Sequence, residues 1–503
     1  MIGTRTKNAI RNILFAILLR IYQIIIPFLI RTIFIYKLGI EYLGLNSLFA
    51  SILGVLSLAE LGFGTAMAYS LYRPIAEQNK SMICALMNFY KIAYRIIGSI
   101  ILTFGLIMML FFPKLIKSDV PSDINIYIVY LIQLLGSVST YYLFAYKSTL
   151  FIAHQRNDLV SKVGIIVSTL QYIVQLFVLL YVNNFYIYSM AVPVSAIISN
   201  LIIAILADKY YPHYKAYGKI KEDMFKIIVL KVKALFWVRL GTVVLNSVDS
   251  IVISAFLGLA ILGKYNNYYY IVNSVVSIVG MLTTSIVAII GNSLTVETKE
   301  KNYDVCIKLS FLNQWIVGWF TVCLICLYQD FIVIWVGKEN VLSFPNALLF
   351  SVYFYILQSH QVAGAYKDAA GIWNHEQWRP LIVAVVNLVL NMLLVYFIGL
   401  SGVILSTIIS LFFINTPWLI SNVCKLVFAK KTSEYFFMWI KNMIVTVFTG
   451  IFCYTVVNVL PKNQMIYFII KGMICCILPN VCFLGIYYFD KRFKNSLRII
   501  KNS

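Results

Sequence analysis

Six charged or titratable residues fall inside long apolar runs of this 503-residue chain: Arg20, Arg31, Glu60, Arg239, Asp249 and His360. A charge at the bilayer centre costs at least about 2.5–3.5 kcal/mol on insertion scales, so each is a functional candidate. At about 100° per residue, Arg20, Gln23, Pro27 and Arg31 share one helical face. Arg239, Thr242, Asn246 and Ser250 make a second such face, with Asp249 at its edge. Lipid would reject both stripes, so they are expected to line a cavity. Three arginines and few acids there suit an anionic cargo, because a guanidinium pairs with phosphate through two parallel hydrogen bonds. The competing account makes the arginines buried struts, paired with Glu60, Asp249 or backbone carbonyls. Glu60 and Asp249 could each carry a coupling H+ or Na+, or serve as salt-bridge partners. His360, beside Gln358 and Gln361, suits a proton site or a hydrogen-bonded packing role. Lys91, Arg95 and Lys471 lie nearer span ends, where snorkelling accounts for them.

No set of paired carboxylates and no Ser/His/Asp triad can be assembled outside the apolar runs, so no catalytic residues are expected. Cys323 and Cys326 have C-x-x-C spacing but sit in an apolar run without a second pair. Structural cysteines are expected there rather than a metal or redox site, and no cofactor is expected beyond a coupling ion.

The elements that must hold these residues follow from composition. Hydrophobic residues make up 61% of the chain and charged residues 12%, with a mean hydropathy of +0.86. Soluble proteins are nearer 45–50% apolar and about 25% charged, so soluble enzymes, disordered chains and disulfide scaffolds are excluded. An all-α polytopic membrane protein remains, with about 14 transmembrane helices. Candidate spans run from residue 12 to residue 489 and include 45–71, 124–150 and 346–368. Short connections at Asn183-Asn184 and Gly399 predict tight helical hairpins. With the N-terminus inside, only Lys37, Lys114, Lys117, Lys264, Lys338 and Lys462 of the 41 Lys and Arg fall on external segments. The same scheme puts the C-terminus in the cytoplasm. The net charge of +22 therefore reads as topology and gives no reason to expect nucleic acid. The Tyr265-Asn266-Asn267-Tyr268-Tyr269-Tyr270 run and Tyr141-Tyr142 read as interfacial aromatic belts, with sugar stacking as the alternative.

The chain also repeats itself. Leu38-Gly39 to Leu43-Gly44 recurs as Leu257-Gly258 to Leu262-Gly263, and Arg20 and Arg239 share that offset of 219. Ala145-Tyr146-Lys147 recurs as Ala365-Tyr366-Lys367, and Glu77 as Glu297. Two six-helix copies entering the membrane in the same direction are parallel repeats, an arrangement that suits alternating access. The expected organisation is a first lobe over 1–207, a basic linker over 208–234, a second lobe over 235–424, and an appended helix pair with a basic tail over 425–503. The linker is expected to be solvated beside anionic headgroups.

Several segments resemble the polysaccharide flippases of the multidrug/oligosaccharidyl-lipid/polysaccharide exporter superfamily. They are Leu38-Gly39-Ile40-Glu41-Tyr42-Leu43-Gly44, Leu58-Ala59-Glu60-Leu61-Gly62-Phe63-Gly64, Tyr72-Arg73-Pro74-Ile75-Ala76, Ala153-His154-Gln155-Arg156 and the stretch from Asp249 to Gly258. The resemblance implies a V-shaped, two-lobed MATE-like fold in a bacterial cytoplasmic membrane. The function it implies is the outward turning of undecaprenyl-diphosphate-linked oligosaccharides for O-antigen, capsule or a related polysaccharide. Ion coupling, a monomeric state and contact with membrane lipids, a polysaccharide polymerase and chain-length machinery are further implications. A lipid II flippase or a multidrug exporter of the same superfamily is the main alternative. A membrane polymerase or a channel fits less well, because external loops are short and no filter motif is present.

Overall fold

The computed structural model describes residues 22–60, 62–117, 120–461 and 464–490. Arg20 lies outside the described residues. Every regular element among them is a helix. Among the described residues nine helices are long and apolar enough to cross a membrane, and Ile126–Tyr142 with Ala145–Ala153, bent by 51°, makes a tenth if counted as one span.

Three expected spans are broken. Residues 45–71 divide into Ile40–Leu56, a 3-10 turn at Ser57–Glu60, and Phe63–Ala76. Residues 124–150 break at Phe144, which adopts a left-handed φ of 64°. Residues 346–368 break between Phe344–Gln358 and Gln361–Ala370, with His360 in the gap. In the last two cases the repeated Ala-Tyr-Lys follows the break. Lys147 then pairs with Asp208 at 2.6 Å, and Lys367 with Asp368 at 2.9 Å. Both expected hairpins form. Asn183 takes a φ of 51° and Asn184 caps the following helix through Tyr186 N at 2.9 Å and Ile187 N at 3.2 Å. Gly399, with a φ of 60°, makes the other turn.

The chain packs as two compact units, Met1–Gly263 and Lys264–Ser503. In the first unit the helix Glu222–Leu257 lies on Ile40–Leu56. Ser254 Oγ donates to Leu115 O at 2.7 Å, and Lys117 Nζ to Phe256 O at 2.8 Å. The repeated glycine motif has a physical meaning here. Gly39 and Gly258 hold φ angles of 109° and 92°, which end one helix and start the next. Gly44 then rests on the backbone of Leu259, where a Cβ would come within 2.8 Å of the carbonyl carbon. Reciprocally, a Cβ on Gly263 would lie 2.7 Å from Ile40 Cγ1 and overlap the Ile40 carbonyl. Residue 40 corresponds to 259, and 44 to 263, in the repeat register. Within the first unit each glycine of the repeated motif thus rests on the backbone at the other motif's matching position.

The basic connection is not simply solvated. Asn88 Nδ2 donates to Gly218 O at 2.8 Å, Cys84 Sγ to His213 O at 3.5 Å, and His154 stacks on Tyr211 at 4.2 Å. Its lysines 209, 215, 219 and 221 stay exposed. Residues 222–234 continue directly as the first turns of Glu222–Leu257.

In the second unit the 38-residue helix Lys299–Val336 is central. It packs against Phe344–Gln358, Ser433–Asn458 and Met465–Tyr487. The last two, expected as an appended pair, are stitched on by polar contacts. Trp319 Nε1 donates to Cys475 O at 3.0 Å, Trp315 Nε1 to Asn480 at 2.8 Å, and Asn442 Nδ2 to Gln314 at 2.6 Å. Lys471 does not snorkel. It is 2% exposed and pairs with Asp330 at 2.5 Å. The tyrosine run is partly internal, with Tyr269 and Tyr270 half-buried. Tyr265 and Tyr268 are buried against Phe350, and the Tyr268 hydroxyl bonds Gln329 at 2.5 Å.

Candidate functional site

Glu60 ends the 3-10 turn that interrupts its span, so its carboxylate leaves the helical ladder and points between neighbours. Tyr94 donates its hydroxyl to Oε1 at 2.5 Å, and Tyr141 donates to Oε2 at 2.6 Å. Tyr90 donates to the Tyr94 oxygen at 2.8 Å. The rings close the cage: Tyr90 and Tyr94 lie 4.4 Å apart, Tyr94 and Tyr141 5.4 Å, and Phe63 packs on Tyr90 at 5.4 Å. Tyr90 and Tyr94 are one turn apart on Lys80–Met108, which puts both hydroxyls on one face. Each oxygen of the carboxylate therefore has a fixed donor. Hydrogen bonds to an ionised group contribute roughly 1.5–3 kcal/mol each, enough to hold a carboxylate away from bulk water. Among the described residues the hydrogen-bond partners of Glu60 are these tyrosine hydroxyls, whose identity no local pattern around Glu60 announces.

The two arginine stripes are placed as follows. Helix 22–37 packs through Phe34 on Tyr188 at 4.8 Å and Phe185 at 6.0 Å, and Tyr22 bonds Thr169 at 2.8 Å. Gln23 is exposed, and Arg31 is half-buried. On Glu222–Leu257, Arg239, Thr242 and Asn246 are all exposed, whereas Asp249 and Ser250 are buried. Arg239 donates to Thr65 Oγ1 at 3.4 Å, five residues beyond Glu60. The first unit thus brings Arg239 to the start of Phe63–Ala76, the helix that follows the Glu60 turn.

His360 lies elsewhere, in the second unit. Its Nε2 meets Asn415 Nδ2 at 3.2 Å and its Nδ1 meets Thr416 Oγ1 at 3.3 Å. Arg379 donates to Asn415 and to Glu376, and Asn422 donates to Glu376 at 2.7 Å. A second buried network joins Asn387 to Thr407 at 2.9 Å and Asn391 to Asn387 at 3.1 Å, with Ser406 donating to Asn391. The sequence alone points to none of these except His360, since isolated Asn, Ser and Thr in apolar helices give no partner signal. Cys323 and Cys326 are free thiols packed with Cys453 and Cys475.

Helices of transmembrane length in two compact units, carrying hydrogen-bonded polar groups in their interiors, define a multi-pass membrane protein. Solved structures with the same fold include a lipid II flippase, MurJ, in an inward closed conformation. It is 16% identical, with a TM-score of 0.71, covering 95% of this chain and 99% of that one. An inward-facing multidrug resistance MATE family transporter of the MOP superfamily is 15% identical, with a TM-score of 0.61, covering 78% and 92%. A MATE transporter of Vibrio cholerae is 12% identical, with a TM-score of 0.56, covering 86% and 99%. No curated protein sequence matches the chain. The polysaccharide biosynthesis protein family matches residues 9–290, more than half of the sequence, and the chain belongs to that family.

Proposed function

We propose that the protein is a flippase that turns polyprenyl-diphosphate-linked oligosaccharides from the inner to the outer face of a bacterial cytoplasmic membrane, with both termini in the cytoplasm. The observation that carries this reading is the conjunction of polysaccharide-biosynthesis family membership with a fold shared with a lipid II flippase. Arg31 and Arg239, with Arg20, Gln23, Thr242 and Asn246, serve as the polar lining that meets the diphosphate. Glu60 in its tyrosine cage is the coupling site for H+ or Na+, and Asp249 and His360 are secondary candidates. The polymerase and chain-length machinery act on the delivered product, and the lobes rock as a monomer. A non-enzymatic role agrees with the transporter fold.

Deletion of the gene should leave lipid-linked repeat units on the cytoplasmic leaflet, detected by their protection from an external glycosidase. Single units accumulating on the outer leaflet would instead indicate a polymerase. The Glu60→Gln variant keeps the side-chain shape and removes the titrating group. It should lower delivery of repeat units at least about tenfold, equivalent to roughly 1.4 kcal/mol, at unchanged protein level. Tyr94→Phe and Tyr141→Phe should each have smaller effects. Wild-type delivery by the Glu60→Gln protein would remove Glu60 from the mechanism.

Lipid II itself is a second reading, favoured by the extent of the match to the lipid II flippase. Complementation of a strain depleted of its own lipid II flippase separates the two.

A further inference from the structure

The helix Lys80–Met108 carries a second set of polar groups, on the side away from Glu60. Lys91, Arg95, Ser99 and Thr103 recur every four residues and form one stripe. Tyr90, Tyr94, Ile97 and Ile101 on the other side are buried. Beside the stripe, Ile92, Ile96, Ile100 and Phe104 are 40–57% exposed. A row of large exposed aliphatic and aromatic side chains on a membrane helix is surface that acyl chains solvate. The polar stripe therefore borders a lipid-facing surface.

Neighbouring residues define its floor. At Gly98 a Cβ would come 3.0 Å from Tyr142 Cε2 and 3.1 Å from Tyr141 Cβ, so the two helices cross closely there. Tyr141 turns inward to Glu60, and Tyr142 turns outward, its hydroxyl 2.6 Å from Ser99 Oγ.

Depth follows from the sequence. Ile96 to Pro113 contains no charged residue, and Lys114 ends the run. Those 18 residues rise about 27 Å as a helix, close to the roughly 30 Å of hydrocarbon in a bilayer. Arg95 thus stands at one headgroup level, and Lys91 is a turn further out. Among the described residues neither joins an ion pair. A guanidinium at that depth presents a planar fork to a phosphate, and an ammonium one turn away adds a point charge.

We propose that Lys91 and Arg95 dock the headgroup phosphate of an anionic bilayer phospholipid. One of its chains lies along Ile96, Ile100 and Phe104, and the Ser99–Tyr142 hydroxyl pair sits at the ester level. Because Tyr141 of the same crossing holds Glu60, the bound lipid braces the helix pair that supports the carboxylate.

The test uses the purified full chain in phosphatidylcholine nanodiscs, with and without phosphatidylglycerol, read by thermal unfolding and by native mass spectrometry. Phosphatidylglycerol should raise the unfolding midpoint of the wild type and remain bound to it. Lys91→Gln/Arg95→Gln should lose that shift, with occupancy falling about fivefold for each cation removed. Arg95→Lys, which keeps the charge and loses the fork, should fall between them and keeps the test readable if the double variant does not fold. An unchanged phosphatidylglycerol shift in both variants, or none in the wild type, overturns the proposal. Retention of added polyprenyl diphosphate in place of phosphatidylglycerol, lost on Arg95→Lys, also overturns it by assigning the stripe to cargo.

Discussion

Gly44→Val should destabilise the protein by roughly 1–3 kcal/mol or more, the range for forcing volume into a packed site. The reason is geometric. A Cβ on Gly44 falls on the Leu259 carbonyl, 2.8 Å from its carbon and 3.2 Å from Leu259 Cα. The obstacle is backbone, so no rotamer change relieves it, and the two helices must separate. Gly263→Val should act alike, because its neighbour is the Ile40 backbone. Both glycines serve one crossing, so the double variant should lose less than the sum of the singles. Gly472→Ala is the control. Nothing lies within 4 Å of its added carbon, and an alanine there should leave stability unchanged or raise it. Thermal unfolding of the purified proteins in one detergent checks all four. Equal midpoints for Gly44→Val and wild type would contradict the reciprocal seating of the repeats.

The second large effect concerns the last helix. Lys471→Met should cost about 3–5 kcal/mol, because it leaves Asp330 as a buried charge without its cation. Asp330→Leu should cost a similar amount by stranding the ammonium. The pair adjoins a cavity of about 180 Å³ also lined by Gln329 and Asn458. Water there would soften the loss towards the lower figure. Lys471→Met/Asp330→Leu should recover most of the stability, since well-packed apolar replacements of a buried pair are often neutral or better. A double-mutant cycle of unfolding free energies gives the coupling. Additive losses would show that the two side chains do not depend on each other.

Local chemistry is the part of this fold that is legible in the sequence. Asn183-Asn184 and Gly399 announce their turns because left-handed backbone and helix capping favour those residue types. The offset of 219 is legible as a repeated string, and the crossing of Gly44 with Gly263 supplies its physical cause. Breaks inside spans are not legible. Ser57–Gly62 keeps an apolar composition, so hydropathy runs on through it. Partners distant in sequence are equally hidden. Glu60 meets Tyr94 and Tyr141, which lie 34 and 81 positions away, and Lys471 meets Asp330 across 141. The tyrosines at 265 and 268 read as interfacial because aromatic residues favour headgroups. Burial wins because Gln329 and the Leu342 amide satisfy the Tyr268 hydroxyl. Of the stripe expected on the helix Glu222–Leu257, Arg239, Thr242 and Asn246 are exposed and Ser250 is buried.

The most direct test of the flippase reading is translocation by the purified protein in proteoliposomes. A fluorescent undecaprenyl-diphosphate oligosaccharide is placed in both leaflets, and its accessibility to a membrane-impermeant quencher is followed after an imposed H+ or Na+ gradient. The account predicts net movement that needs the protein, needs the diphosphate, and slows at least about tenfold in the Glu60→Gln variant. Leaflet exchange no faster than in protein-free vesicles, or equal movement of a neutral polyprenyl glycoside, would contradict it.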